Sequence, residues 1–181
     1  MKYIIILAVV LGIAAVGVSN SYAATSMYMK YGTIQGDSLS STHSGWISIG
    51  SYQFGITKPT TVVSGTREYG VPSISDITIT KMMDKSSVPL MQEAFAGLPQ
   101  TVTIDLTRTG TTTEQTYAEY QLSNAVVTGY SVSYASGSEV PIESINIAFT
   151  KIIFEYWPSN LDGTLGSPMQ VGWDLTKNTL A

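Results

Sequence analysis

The stretch ITITKMMDKSSVPLM, residues 77–91, decides the fold, because it joins an alternating strand to a capped short helix through one charged turn. Ile77 and Ile79 alternate with Thr78 and Thr80, the period-two pattern of a strand with one buried face. After Met82 and Met83 the pattern breaks at Asp84 and Lys85. Ser86 or Ser87 is then placed to accept a hydrogen bond from the first free amides of a helix, with Pro89 tolerated in its first turn. Leu90, Met91, Ala94 and Phe95 fall at i, i+3, i+4 spacing, which predicts a face packed on the rest of the molecule, and Gly97 stands where glycine most often follows a helix end.

On either side of this junction, threonine, tyrosine, valine and isoleucine recur in short alternating runs punctuated by glycine, the composition of an antiparallel sheet protein. Strands are expected over 27–31, 45–56, 74–82, 101–109, 115–127, 129–134, 141–156 and 169–175. Val102, Ile104 and Leu106 point one way and Thr103, Asp105 and Thr107 the other; Ile145, Ile147 and Phe149 repeat the scheme against Ser144, Asn146 and Ala148. Eight strands and one helix fit a closed or nearly closed barrel, which removes free sheet edges. The predicted fold is mostly β, an antiparallel β-barrel of two packed sheets with one short α-helix on its flank.

Residues 1–23 read differently. Lys2 gives a minimal basic start, residues 4–18 form an apolar run, and Ser21-Tyr22-Ala23 is a small-x-small cleavage pattern. This is the organisation of a secretory signal peptide, since the run falls short of the roughly 20 residues of a comfortable membrane span. An uncleaved anchor is the alternative. Cleavage after Ala23 leaves residues 24–181, one domain by length, and implies a secreted or periplasmic protein with no membrane contact of its own. With no cysteine, the chain has no disulfides, thiolate metal sites or thiol nucleophiles. Without Lys2 the counts are 8 basic and 13 acidic residues, a net charge of −5. Only two arginines, Arg67 and Arg108, are present, so a phosphate-tracking surface is excluded and nucleic acid is not the partner.

Three further segments, read in order with the 77–91 junction, carry a resemblance: MYMKYGTIQGDSLSSTHSGWISIGSYQFG from Met27, the strand ending in Arg108, and VGWDLTKN from Val171. Together they resemble Hcp, the haemolysin-coregulated tube protein family of bacterial type VI secretion systems. The likeness rests on the turn from Gly32 to Gly36 and the pair Thr42 and His43. It continues through Tyr52 and Phe54 before Gly55, then Thr80, Lys81, Asp84, Lys85 and Ser86, and closes on Gly172 and Trp173. It covers nearly all of residues 27–181, and the leader is its one departure. The resemblance implies a barrel of two sheets with a flanking helix, in a subunit that forms a six-membered ring and stacks into a tube. It also implies partners: further copies of the chain, a contracting sheath, a spike and small effector proteins.

Residues 58–72, KPTTVVSGTREYGVP, are bracketed by prolines and longer than a hairpin needs. Such a segment is either a mobile surface loop or makes a contact. The resemblance implies the second, a ring-stacking loop, with Lys58, Thr60, Val62, Arg67, Tyr69 and Pro72 as the candidate contact residues. Gln53 lies on the strand face opposite Tyr52 and Phe54 and is the candidate lumen-facing residue. Residues 159–168 read as a plain linker.

No catalytic, metal or cofactor site emerges. The single histidine, His43, sits in a polar run without a nucleophile elbow elsewhere, and reads as structural, making a local hydrogen bond. Zinc needs three or four ligands, and no such cluster exists in the sequence. Glu114 with Glu119, or Asp76 with Asp84, are carboxylates on solvated faces or turns. Tyr117, Tyr120, Tyr130, Tyr134, Trp46, Trp157 and Trp173 read first as core and cross-strand packing, and second as a ligand platform. The expected role is therefore structural, a ring and tube subunit. The alternative is an exported derivative of the tube fold acting as a binding module or surface polymer.

Overall fold

The computed structural model describes residues 25–109 and 113–181; the expected signal peptide lies outside the described residues. The elements run β1 (Thr25–Tyr31), β2 (Ile47–Ser48), β3 (Ser51–Gln53), β4 (Ile56–Thr57), β5 (Thr60–Val63), β6 (Thr66–Tyr69), β7 (Ser73–Ile74), β8 (Ile77–Met82), α1 (Ser87–Ala96), β9 (Gln100–Thr109), β10 (Glu114–Ser133), β11 (Ile142–Ala148), β12 (Lys151–Tyr156), β13 (Met169–Asp174) and β14 (Thr179–Leu180). Every pairing is antiparallel. The fold is mostly β with one short helix, as the alternating runs predict.

Hydrogen bonds lead around the body in a circuit. β1 pairs with β9, β9 with β10, β10 with β11, β11 with β8, and β8 with β3. From β3 the chain leads back through Gly50, whose amide donates to the Thr80 carbonyl, and Ile49, whose amide donates to that of Met27. It reaches β2, which pairs with β1. Outside this circuit, β12, β13 and β14 extend the sheet from the first half of β10.

β10 is the central element and differs from expectation. Residues 115–127 and 129–134 form a single strand of 20 residues rather than two. Its register shifts between Leu122 and Ala125 against β9 and between Val127 and Gly129 against β11, and such bulges bend a strand so that it can serve two sheets. Asn124, at φ 51°, takes the left-handed conformation that asparagine tolerates. The partner segment 141–156 breaks at the same corner into β11 and β12, where Thr150 donates to the Ser123 carbonyl and receives the Asn124 side-chain amide.

The core follows strand parity. Val102 and Ile104 on β9, Ile77 and Ile79 on β8, and Ile145 and Ile147 on β11 are fully buried, with Met29, Tyr31, Ile47 and Leu122. Each such side chain contributes roughly 1.5–3 kcal/mol on removal from water. Two expectations fail. Asp105 and Thr107 are buried rather than solvated, because residues 32–46 fold back over the second face of β9. That loop can lie close only because position 36 is glycine: a Cβ there would stand 2.3 Å from the Trp46 carbonyl oxygen. On α1, Leu90 is buried and Ala94 packs against the core, whereas Phe95 is 81% exposed and Met91 lies open.

Candidate assembly surfaces

The segment 58–72 is not an irregular loop. β4 and β7 pair at its root, Ile56 with Ile74, and β5 and β6 continue outward as a two-stranded ribbon, Thr60 opposite Tyr69 and Val63 opposite Thr66. Ser64 at φ 51° and Gly65 at φ 80° make the tip, the pair of left-handed residues that a tight hairpin turn demands. Ser-Gly between two β-rich runs was the sequence signal for it. All eight strand residues are exposed.

The arm has two unlike faces. Thr60 and Tyr69 are cross-strand partners, as are Val62 and Arg67, so these four candidate residues share one face by strand alternation. The Lys58 ammonium lies 5.0 Å from the Tyr69 ring centroid, adding a second cation. Pro72 sits at the root, in the wall of an apolar cavity of about 270 Å³ that Phe54, Tyr120, Phe154 and Trp173 also line. The indole Nε1 of Trp173 is buried without a hydrogen-bond partner.

Gln53 is exposed at the end of β3, opposite Thr78. Tyr52 and Phe54 beside it turn toward the core. With Ser75, Asp76, Thr78 and Asn146 it borders a polar recess on the outer face of β8 and β11.

Two buried polar clusters escaped the sequence reading. At one end of the barrel Lys81 and Glu143, cross-strand partners on β8 and β11, are buried and joined at 2.7 Å. Lys81 also reaches Asp84 at 2.8 Å and the Ser87 hydroxyl at 3.2 Å, while the Tyr130 hydroxyl donates to Glu143 at 2.6 Å. The serines expected to cap α1 are used otherwise. Ser86 makes no side-chain cap; its amide and hydroxyl donate to Asp84, and the Ser87 hydroxyl accepts the Asp84 amide. Burial pushes the Asp84 carboxyl up, but bonds from Lys81 and Ser86 prevail and hold it below the usual range. Burial and the Glu143 carboxylate drive the Tyr130 phenol well above its ordinary value. Parity held the signal: Lys81 continues the inward series Ile77, Ile79, and Glu143 the series Ile145, Ile147.

The second cluster holds His43, which is structural and bonded both locally, to Thr42, and remotely, to Asp105. Its Nε2 meets Asp105 at 2.8 Å, its Nδ1 meets the Thr42 hydroxyl at 2.8 Å, and its ring stacks on Tyr28 at 4.5 Å. Glu114, expected on a solvated face, accepts from Ser40, Thr42, Thr107 and Tyr28. Burial raises its carboxyl, and these four donors outweigh burial and hold it at about 2. Both nitrogens of His43 are engaged, and among the described residues no group of three or more His, Cys, Asp or Glu is placed to hold a metal.

The family model for "Type VI secretion system effector, Hcp" matches residues 28–156, which takes in the barrel circuit, the arm and both clusters. The chain belongs to the Hcp family. Over 162 residues it is 25% identical to protein hcp1 of Pseudomonas aeruginosa, a match covering 87% of this chain and 99% of that protein. Its fold superposes on a solved type six secretion system protein with a TM-score of 0.81 at 27% identity, covering 87% of this chain and 100% of the other. Against Hcp1 of Salmonella typhimurium the TM-score is 0.72 at 19% identity, covering 87% and 99%, a likeness of fold. The Hcp resemblance read from the ordered motifs is thus confirmed, and the junction at its centre, Thr80 to Ser86, is where the buried lysine cluster ties α1 to the barrel.

Proposed function

We propose that this Hcp protein is a structural subunit whose copies close into a six-membered ring, and that the rings stack into a tube of the type VI secretion kind with room for small effectors. One observation carries the reading: a barrel whose hydrogen bonds run in a circuit bears an arm whose eight strand residues are all exposed. A two-stranded ribbon is marginal in water on its own, so the arm is an element built for contact. Lys58, Thr60, Val62, Arg67, Tyr69 and Pro72 are its contact residues, and Gln53 faces the lumen. The role is assembly, not turnover, with sheath and spike components as further partners.

A second reading rests on the leader sequence of residues 1–23. In it the chain is an exported derivative of the tube fold, a periplasmic or extracellular binding module or surface polymer. Mass spectrometry of the protein from its host separates the two: an N-terminus at Ala24 is expected if the leader is processed, and an intact Met1 in envelope or medium removes that reading. Light scattering and negative-stain microscopy of the protein purified from the full-length gene are expected to show a closed ring of six. A strict monomer at high micromolar concentration sinks the ring and favours the binding module.

A further inference from the structure

One lateral row of the sheet is electrostatically incomplete. Tyr28 of β1 pairs with Asp105 of β9, Asp105 with Glu119 of β10, Glu119 with Glu155 of β12, and Glu155 with Gln170 of β13. Three carboxylates thus stand side by side on the face turned away from the core, Asp105 beneath the covering loop and Glu119 and Glu155 half-buried beside it, and directly opposed like charges destabilise a sheet. The row holds no lysine or arginine. His43 meets Asp105 from the covering loop, and the Gln121 amide donates to Glu119 at 2.5 Å. Asp105 is 6% exposed, and its Oδ1 has no hydrogen-bond partner. Burial, then the Asp105 and Glu155 charges, push the Glu119 carboxyl above its ordinary value, against the Gln121 bond.

The arm carries the complement. Among the described residues Arg67 forms no hydrogen bond or ion pair, and it is exposed on the face it shares with Lys58, Val62 and Tyr69. Two cations gathered on one face are conspicuous in a chain of net charge −4. Cross-strand side chains such as Glu119 and Glu155 start roughly 5 Å apart, a span that the planar guanidinium fork covers while donating to two carboxylates at once. Among the described residues no ion pair or strand pairing joins the arm to the row within one copy.

We propose that the cationic face of the arm docks on the carboxylate row of a second copy of this chain, with Arg67 between Glu119 and Glu155. This rests on the reading of the arm as a stacking element and names what receives it. Arm and row are different surfaces, so the contact is head-to-tail, and where its rotation does not close a ring it repeats from copy to copy, as growth of a tube requires.

The test uses protein purified from the full-length gene, with ring size followed by light scattering and stacking by electron microscopy. Arg67→Glu is expected to leave the ring intact and to raise the concentration needed for stacking at least about tenfold. Glu119→Lys with Glu155→Lys does the same, and all three substitutions together restore stacking. About 1 M salt, where the screening length falls to about 3 Å, disperses stacks of the parent. If Arg67→Glu stacks like the parent while a protein with residues 60–70 replaced by a short Gly-Ser link does not, the arm reading stands and the ion pairing is overturned. If Arg67→Glu fails and the triple variant stays dispersed, the row is not the receptor. If the shortened protein itself stacks like the parent, the arm reading falls and this inference with it.

Discussion

β8 with β11 and β5 with β6 are antiparallel pairs of similar sequence character, yet they end in opposite environments. In the first pair Ile77, Ile79, Ile145 and Ile147 are fully buried and even the charged pair Lys81 and Glu143 is excluded from water. In the second, valines, threonines, an arginine and a tyrosine all remain exposed. Alternation makes a strand; only an opposing layer makes a core. The barrel therefore holds the stability of the subunit, and the arm can change without disturbing it.

The largest break in that contrast comes from the buried ion pair. Lys81→Met leaves Glu143 and Asp84 without their cation, and is expected to cost about 3–5 kcal/mol in urea unfolding. Adding Glu143→Leu is expected to recover part of the loss, since a matched apolar pair needs no counter-charge. Leu90→Ala, the one fully buried helix side chain that anchors α1, is expected to cost about 2–5 kcal/mol by the same measurement. Equal stability of parent and Leu90→Ala would show that α1 does not depend on its anchor.

Acid sharpens the comparison further. The carboxyls of Asp84 and Glu114 are held below their ordinary values in the folded protein, Glu114 at about 2 from 4.5. Their contribution is complete above the unfolded pKa and is lost as pH falls through the folded one. Stability is thus expected to decline from about pH 4.5 toward pH 2, and Glu114→Gln to flatten that part of the profile. The smallest effect belongs to the arm. A Gly-Ser link in place of residues 60–70 is expected to change unfolding free energy by less than about 0.5 kcal/mol, while stacking is reduced. A large loss of stability in that variant would mean that the arm braces the barrel.

Much of this was legible in the chain because strand parity is a local property. Val102 with Ile104, and Ile145 with Ile147, turn inward as alternation predicts, and the ordered motifs from Gly32 to Trp173 carry the family. What escaped depends on segments remote in sequence. Asp105 and Thr107 have the parity of solvated residues and are buried because residues 32–46 return over them; His43 is tied 62 positions away for the same reason. The continuity of β10 from Val127 to Gly129 was hidden because a glycine, which usually ends a strand, here stands at a bulge. The arm was hidden by its own composition, since prolines and glycines that bracket a hairpin also bracket a loop. Lys81 and Glu143 were readable: a charge that continues an inward series must find its opposite.

β10 has a mechanical consequence. Over its first half it is bonded to β9 on one side and β12 on the other, and its second half is bonded to β11. A lengthwise pull on this strand loads those three ladders together in shear, so that many bonds must give way at once instead of peeling open one by one. The subunit therefore resists load along β10 through three ladders acting together.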